Sequence, residues 1–122
     1  MQITIPFKTP TINHLYWHRG NIKIITKEAR KLKADIKDII SKIPFPQYPE
    51  VPLKVSVDIY ENWFCKNGDI KKKDIANREK FLIDSIFEAI GMDDKLIFEN
   101  SFRKINSETE EKAIITIEVL NG

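Results

Sequence analysis

The sequence predicts an α+β fold. One small domain over residues 1–122 carries a mixed β-sheet with two main helices packed on it, in the order β-β-α-β-α-β-β. Three observations predict this. Residues 51–60 and 112–120 alternate between apolar and polar side chains, the period of a half-buried strand. Residues 26–43 and 77–90 repeat their apolar positions every three or four residues, the period of a helix. Pro44, Pro46, Pro49 and Pro52 make an extended connector between the first helix and the central strand. That connector is too short to separate two independent cores.

Ile3 and Ile5 mark a short first strand, ended by Pro6. Residues 21–26 make a second. Thr26 can cap a helix running to about Ile43, with Glu28 in its first turn near the positive end of the helix dipole. Ala29, Leu32, Ile36, Ile39, Ile40 and Ile43 form its apolar stripe, and Pro44 stops it. Arg30, Lys31, Lys33 and Lys37 lie on the opposite face. In the central strand Val51, Leu53, Val55, Val57 and Ile59 share one face, and Lys54, Ser56, Asp58 and Tyr60 the other. A second helix runs from about Asn77 to Ile90 and ends at Gly91. Leu82, Ile86, Ala89 and Ile90 form its stripe, which Phe81, Ile83 and Phe87 widen. Such a helix is expected to be buried on more than one side, in part by a partner subunit. Residues 96–105 form a further strand without strict alternation. In the last strand Ala113, Ile115, Ile117 and Val119 share a face.

Composition excludes several function classes. The 42% hydrophobic and 31% charged residues fit a soluble globular chain rather than a disordered one. No apolar run approaches the roughly 20 residues of a membrane helix, so no membrane partner is expected. The opening residues Met1-Gln2-Ile3-Thr4-Ile5 lack a basic region before an apolar stretch, so no signal peptide is expected. Cys65 is the sole cysteine, which rules out an internal disulfide, a multi-cysteine zinc site and an iron–sulfur cluster. A reducing cytosol is the natural compartment. Four glycines form no phosphate-binding loop, and 122 residues are too few for a Rossmann oxidoreductase, a TIM barrel or a kinase. No small-molecule cofactor is expected.

Charge is graded along the chain. Residues 18–42 hold eight Lys/Arg against three Asp/Glu, and residues 66–80 hold six against three. Residues 81–122 reverse the balance, with four against nine. Basic segments beside an acidic remainder suit a polyanionic ligand.

The chemistry concentrates between Lys71 and Asp94. On a helix, Asp74, Asn77, Lys80 and Asp84 fall within about 120° of one another, a polar face on an otherwise apolar element. Asp93 and Asp94 follow the helix end and reach that face only if the chain folds back. Carboxylates beside a lysine, without sulfur ligands, suit a hard cation such as Mg²⁺ or Mn²⁺. Such ions bind phosphates and orient a hydroxide for in-line attack on phosphorus. Lys71, Lys72 and Lys73 would hold a polyanionic backbone by charge. The plainer alternative makes Asp74 a helix cap, Asp84 a surface residue and Asp93-Asp94 an acidic turn.

This stretch resembles the RusA family of Holliday junction resolvases. The family pattern is a basic run, Asp-x-Asp-Asn, a lysine four residues after the second Asp, an Asp four further on, then Gly and a paired Asp-Asp. Lys71, Lys72, Lys73, Asp74, Asn77, Lys80, Asp84, Gly91, Asp93 and Asp94 match in order and spacing. Ile5-Pro-Phe-Lys-Thr-Pro10-Thr-Ile-Asn13-His-Leu-Tyr16 is similar to the family's opening strand, Pro-rich turn and Asn-x-x-Tyr. The resemblance implies a homodimer that binds a four-way DNA junction, each subunit nicking one of two opposed strands with Mg²⁺, for which Mn²⁺ can substitute. It implies Asp74 and Asp94 as metal ligands, with Asp93 the ambiguous neighbour, and Lys80 as the catalytic lysine. Asn77 and Asp84 would support the ligands from behind. Lys71, Lys72, Lys73, Asn13, Arg19 and Lys23 would contact DNA.

One position departs from the pattern. The second carboxylate of Asp-x-Asp-Asn is Ala76 here. Residues 74 and 76 of an extended segment point the same way, so alanine removes one of two adjacent oxygen ligands. Asp69, Asp84 or Glu79 are the carboxylates near enough in sequence to substitute. The alternative function is a weakened or inactive homologue that binds branched DNA without cutting it. A third is a nonspecific nucleic-acid-binding module.

The remaining candidates have duller readings. His14 and His18 are four apart, but the segment reads as a turn and lacks a His-Glu-x-x-His arrangement. Tyr16-Trp17 suits either base stacking or packing. Trp63-Phe64 reads as a buried corner or a junction wedge. Cys65 has no base partner in sequence and is not read as a nucleophile.

Overall fold

A computed structural model describes residues 1–9, 16–20, 22–44, 50–71 and 76–120. It is α+β, with a mixed four-stranded sheet and two helices. The strands are β1 (Gln2–Ile5), β2 (Tyr16–Arg19), β3 (Ile22–Ile25), β4 (Leu53–Glu61), β5 (Ile97–Asn106) and β6 (Lys112–Val119). The helices are α1 (Lys27–Ser41) and α2 (Ala76–Ile90), and a 3₁₀ turn spans Asp94–Leu96. No helix among the described residues is long and apolar enough to cross a membrane. The chain divides into two compact units: residues 1–9, 45–73 and 93–122, and residues 10–44 and 74–92.

The first unit is the four-stranded sheet, in the order β1-β6-β4-β5. β6 runs antiparallel to both β1 and β4, with Ile115 beside Ile3 and Val57. β5 runs parallel to β4, with Phe102 beside Val57. The alternation read from residues 51–60 and 112–120 is realised strand by strand. Ile3, Ile5, Leu53, Val55, Val57, Ile59, Ala113, Ile115 and Ile117 are all buried on one face. The other face is polar and half-exposed. There Arg103 donates Nε and one terminal nitrogen to the two oxygens of Asp58, both at 2.9 Å. Asp58 holds the guanidinium pKa above its ordinary value, first through these hydrogen bonds and then through charge.

The second unit holds the β2–β3 hairpin and the two helices. β2 is an addition to the expected order, because the segment holding His18 forms a strand and not a turn. Arg19 pairs with Ile22, and Gly20 turns the chain at φ +62°, a conformation glycine adopts without strain. Thr26 caps α1 as expected, its hydroxyl accepting from Ala29 N at 3.1 Å. The helix ends at Ser41, two residues before Ile43. Its last turn tightens through Lys42 N to Ile39 O and Ile43 N to Ile40 O, since the residue before a proline disfavours α geometry. Lys33 and Glu88 join α1 to α2 at 2.9 Å.

α2 ends where glycine predicts. Gly91 has φ +73°, with Met92 N bonded to Phe87 O and Gly91 N to Glu88 O, which satisfies the last carbonyls. Phe81, Leu82, Ile83, Ile86 and Phe87 are buried within a single chain. Phe81, Ile83 and Phe87, which widen the apolar stripe, are thus buried as expected.

Candidate active site

The predicted site residues divide between the two units. Lys80 and Asp84 belong to α2 and stand one turn apart on its less buried side. Lys80 is exposed, and Asp84 is half-buried and engaged in an interaction. Asn77 falls in the first turn of the same helix. Phe81, Leu82 and Ile83 are buried next to Lys80, so the helix is anchored while its lysine reaches solvent. A long, exposed cationic side chain on an anchored helix is suited to a phosphate oxygen.

Asp93 and Asp94 belong to the sheet unit, in the turn that leads into β5. They are not equivalent. Asp93 caps the 3₁₀ turn, its Oδ1 accepting from Lys95 N at 2.9 Å. Asp94 is exposed, and among the described residues its carboxylate has no hydrogen bond or ion pair. Lys95 reaches instead to Glu50 at 3.7 Å. Both oxygens of Asp94 thus remain open to a cation, whereas Asp93 has one committed to the backbone.

Asp74, Lys72, Lys73 and Asn13 lie outside the described residues, as does His14. Arg19 ends β2 and Lys23 lies in β3, so the hairpin carries both. Lys71 is half-buried, with its backbone N bonded to Trp63 O at 2.8 Å. Among the described residues no group of three or more His, Cys, Asp or Glu gathers to hold a metal. Asp69 is tied into a turn, where its carboxylate accepts from Asn67 Nδ2 at 3.0 Å.

That turn is a feature the sequence reading missed. After β4 the chain makes a tight hairpin in which Phe64 bridges Ile70 and Cys65 N bonds Asp69 O at 2.7 Å. Gly68, at φ +90°, makes the reversal possible. The Asn67-Gly68 pair between Phe64 and Ile70 is a hairpin signal of the kind that could have revealed it. The hairpin also separates the aromatic pair. Trp63 is buried, with Nε1 donating to Ile59 O, so it is the buried corner. Phe64 and Ile70 are exposed at 42% and 68% beside Lys66 and Lys71. A cavity of about 510 Å³ adjoins them, lined in part by Asn62, Phe64, Lys66, Lys71 and Asn106.

The burial of two further residues was not anticipated. Arg78 and Glu79, in the first turn of α2, are buried at 1% and 7% exposure. Both have partners. Their signal was helical spacing. Arg78 is four before Leu82, and Glu79 four before Ile83, so both extend the apolar stripe.

The family model described as Endodeoxyribonuclease RusA matches residues 6–118, nearly the whole of the 122-residue chain. No curated protein matches it.

Proposed function

The chain belongs to the RusA endodeoxyribonuclease family, and we propose that it resolves four-way DNA junctions by paired, Mg²⁺-dependent nicks. The family match carries this reading. It spans both compact units, which favours their acting as one domain, and it covers every proposed site residue from Asn13 to Asp94.

In this reading Asp74 and Asp94 hold the metal. Their carboxylate oxygens are the hard donors that Mg²⁺ or Mn²⁺ prefers. Asp94 is the better ligand of the Asp93-Asp94 pair because Asp93 is spent on capping the turn. When bound, the ion supplies charge neutralisation at the phosphate and a water of lowered pKa. Lys80 neutralises charge that builds on the phosphate as the bond breaks. Asn77 and Asp84 steady this arrangement from α2. Lys71, Lys72, Lys73, Asn13, Arg19 and Lys23 hold the DNA backbone, and two copies of the chain present two sites to opposed strands.

A second reading rests on Ala76. It opens α2 where the family has a carboxylate and brings no oxygen. The chain would then bind branched DNA with little or no cutting.

A cleavage assay tests both. A labelled synthetic junction and a linear duplex are incubated with Mg²⁺ or Mn²⁺ and wild type, Asp74→Asn or Ala76→Asp. Symmetric junction nicks that vanish in Asp74→Asn establish the nuclease. Binding without nicks, with activity restored in Ala76→Asp, establishes the binder. Equal binding to junction and duplex in every variant defeats both.

A further inference from the structure

The hairpin that follows β4 turns two apolar side chains outward. Phe64 and Ile70 are 42% and 68% exposed. Cys65 N donates to Asp69 O at 2.7 Å, and Lys71 N to Trp63 O at 2.8 Å. These two bonds flank Phe64 and Ile70, which makes them a non-hydrogen-bonded antiparallel pair. The side chains of such a pair share a face and approach closely, so Phe64 and Ile70 form one apolar platform. The platform is braced. Asn62 Oδ1 accepts from Phe64 N at 3.0 Å, and Asn106 Oδ1 accepts from Trp63 N at 2.9 Å. The buried Trp63 is pinned in turn through Nε1 to Ile59 O. Gly68 N to Cys65 O at 2.9 Å closes the turn. A lone exposed phenylalanine needs no explanation, but a paired one on a braced hairpin is a contact surface.

The surroundings say what it contacts. The cavity of about 510 Å³ beside Phe64 is lined also by Asn62, Lys66, Lys71, Asn106 and Glu108. Its size falls in the range of small-molecule sites, roughly 300–1,000 Å³. Backbone N–H groups hold the oxygens of Asn62 and Asn106. The two amide nitrogens have no partner among the described residues. An amide NH₂ donates to the ring nitrogens and carbonyls on a base edge. Lys66 and Lys71 outnumber Glu108 around the cavity, and Lys72 and Lys73 continue the run in sequence. Asp69, the other acid of the hairpin, has one oxygen taken by Asn67 Nδ2. An aromatic ring ringed by cations and amide donors suits a nucleobase on its phosphate chain. An apolar protein segment would instead leave the amides and lysines without partners. Stacking needs a base with an open face, which a branch point offers and continuous duplex does not. Three residues lead from Lys71 to Asp74, a tether of about 11 Å at most, or about three base steps.

We infer that Phe64, backed by Ile70, stacks on an unpaired base of branched DNA, with the amides of Asn62 and Asn106 at the base edge and Lys66 and Lys71 on the flanking phosphates. This role rests on the proposed junction activity and deepens it. Lysines hold any phosphate chain and carry no information about its branching. A stacking platform responds only where a base has left the stack, so it tells a branch point from plain duplex. Phe64 is a positioning residue in this role. It sets which phosphate lies near the proposed metal ligands and takes no part in the chemistry.

Binding without metal separates this role from cleavage. The probes are a four-way junction with 2-aminopurine beside the branch point, a single strand carrying the same base, and a linear duplex. Phe64→Ala lowers junction affinity about tenfold and leaves duplex affinity unchanged. Phe64→Trp restores junction binding. The 2-aminopurine fluorescence shifts when wild type binds and stays constant when Phe64→Ala binds. Lys66→Gln, by contrast, weakens junction and duplex alike and flattens the salt dependence. Phe64 is exposed, and an unchanged circular dichroism spectrum verifies that each variant is folded. An unchanged junction affinity in Phe64→Ala overturns the inference and gives the platform to a protein partner. So does an equal loss on junction and duplex, or a fluorescence shift that persists in Phe64→Ala. A wild type that does not prefer the junction, yet shifts the single-strand signal through Phe64, refutes the proposed function alone.

Discussion

α1 and α2 are each fifteen residues long and pack against each other, yet they bury themselves differently. α1 commits Ala29, Ile36 and Ile40 to the core and leaves Arg30, Lys31 and Lys37 exposed. α2 buries eight residues, among them Arg78, Glu79 and Ser85. Among its described side chains Lys80 and Glu88 are the exposed ones, with half-buried Asp84 between them at four-residue steps. A helix held on so many sides has little freedom to shift. A lysine projecting from it keeps its position, which is what a group stabilising a transition state requires. α1 has a broad charged face suited to diffuse electrostatic contact. The lesson is that burial around a charge, rather than the charge itself, separates a candidate catalytic lysine from a surface one.

The comparison breaks most sharply at Phe81, which is 2% exposed. Phe81→Ala is expected to cost about 3–5 kcal/mol, measured by urea unfolding. An equivalent cut on α1, Ile39→Ala, removes a half-buried side chain and costs less. Lys80→Ala is the complementary probe. It touches only an exposed position, so the unfolding midpoint stays within about 0.5 kcal/mol of wild type. Junction cleavage, if Lys80 plays its proposed part, falls by about 10²–10³. A stable Lys80→Ala protein with full activity removes the lysine from the mechanism.

How far the sequence was legible follows from the same physics. Strands β4 and β6 were read nearly to the residue, because one buried face forces a period of two. β5 was harder because it alternates nothing. As an edge strand exposed on both faces, it has no core to impress a pattern on Glu99, Asn100 or Ser101. Capping residues announced themselves: Thr26 and Gly91 sit where the backbone needs a side-chain oxygen and a positive φ. β2 was missed because four residues give too little periodicity, and only Gly20-Asn21 marks the turn. At the candidate site, residue types, spacing and the family resemblance nominated Lys80, Asp84, Asp93 and Asp94. Sequence could not separate Asp93 from Asp94, since that difference arises from one backbone N–H at Lys95. The burial of Arg78 and Glu79 escaped notice because charged residues are normally assigned to the surface.

A smaller effect probes how α1 begins. Thr26→Ala removes the oxygen that accepts from Ala29 N. It is expected to cost about 1 kcal/mol, with Thr26→Ser close to wild type. α2 offers the counterpart at its other end, where Gly91→Ala forces a residue with a Cβ into φ +73° and costs about as much. Urea melts of the three variants compare the two termini directly.

The finest test is the ion pair that ties the two helices. Lys33 lowers the pKa of Glu88, chiefly by its hydrogen bond and then by charge, with Lys37 adding a little. A carboxylate whose folded pKa lies below its unfolded value stabilises the fold at pH values above the unfolded pKa. That contribution disappears as pH falls through the folded value. The pair is largely solvated, so its contribution is on the order of 0.5 kcal/mol. Glu88→Gln should therefore be less stable than wild type near pH 7 by about this amount, and the gap should close below the ordinary glutamate range of about 4. Differences between variant and wild type cancel the acid sensitivity of the other carboxylates. Raising salt at pH 7 should narrow the same gap. A gap constant from pH 7 to pH 3 would mean that Glu88 steadies α2 by packing its stem against Lys33, and that charge contributes nothing to joining the helices.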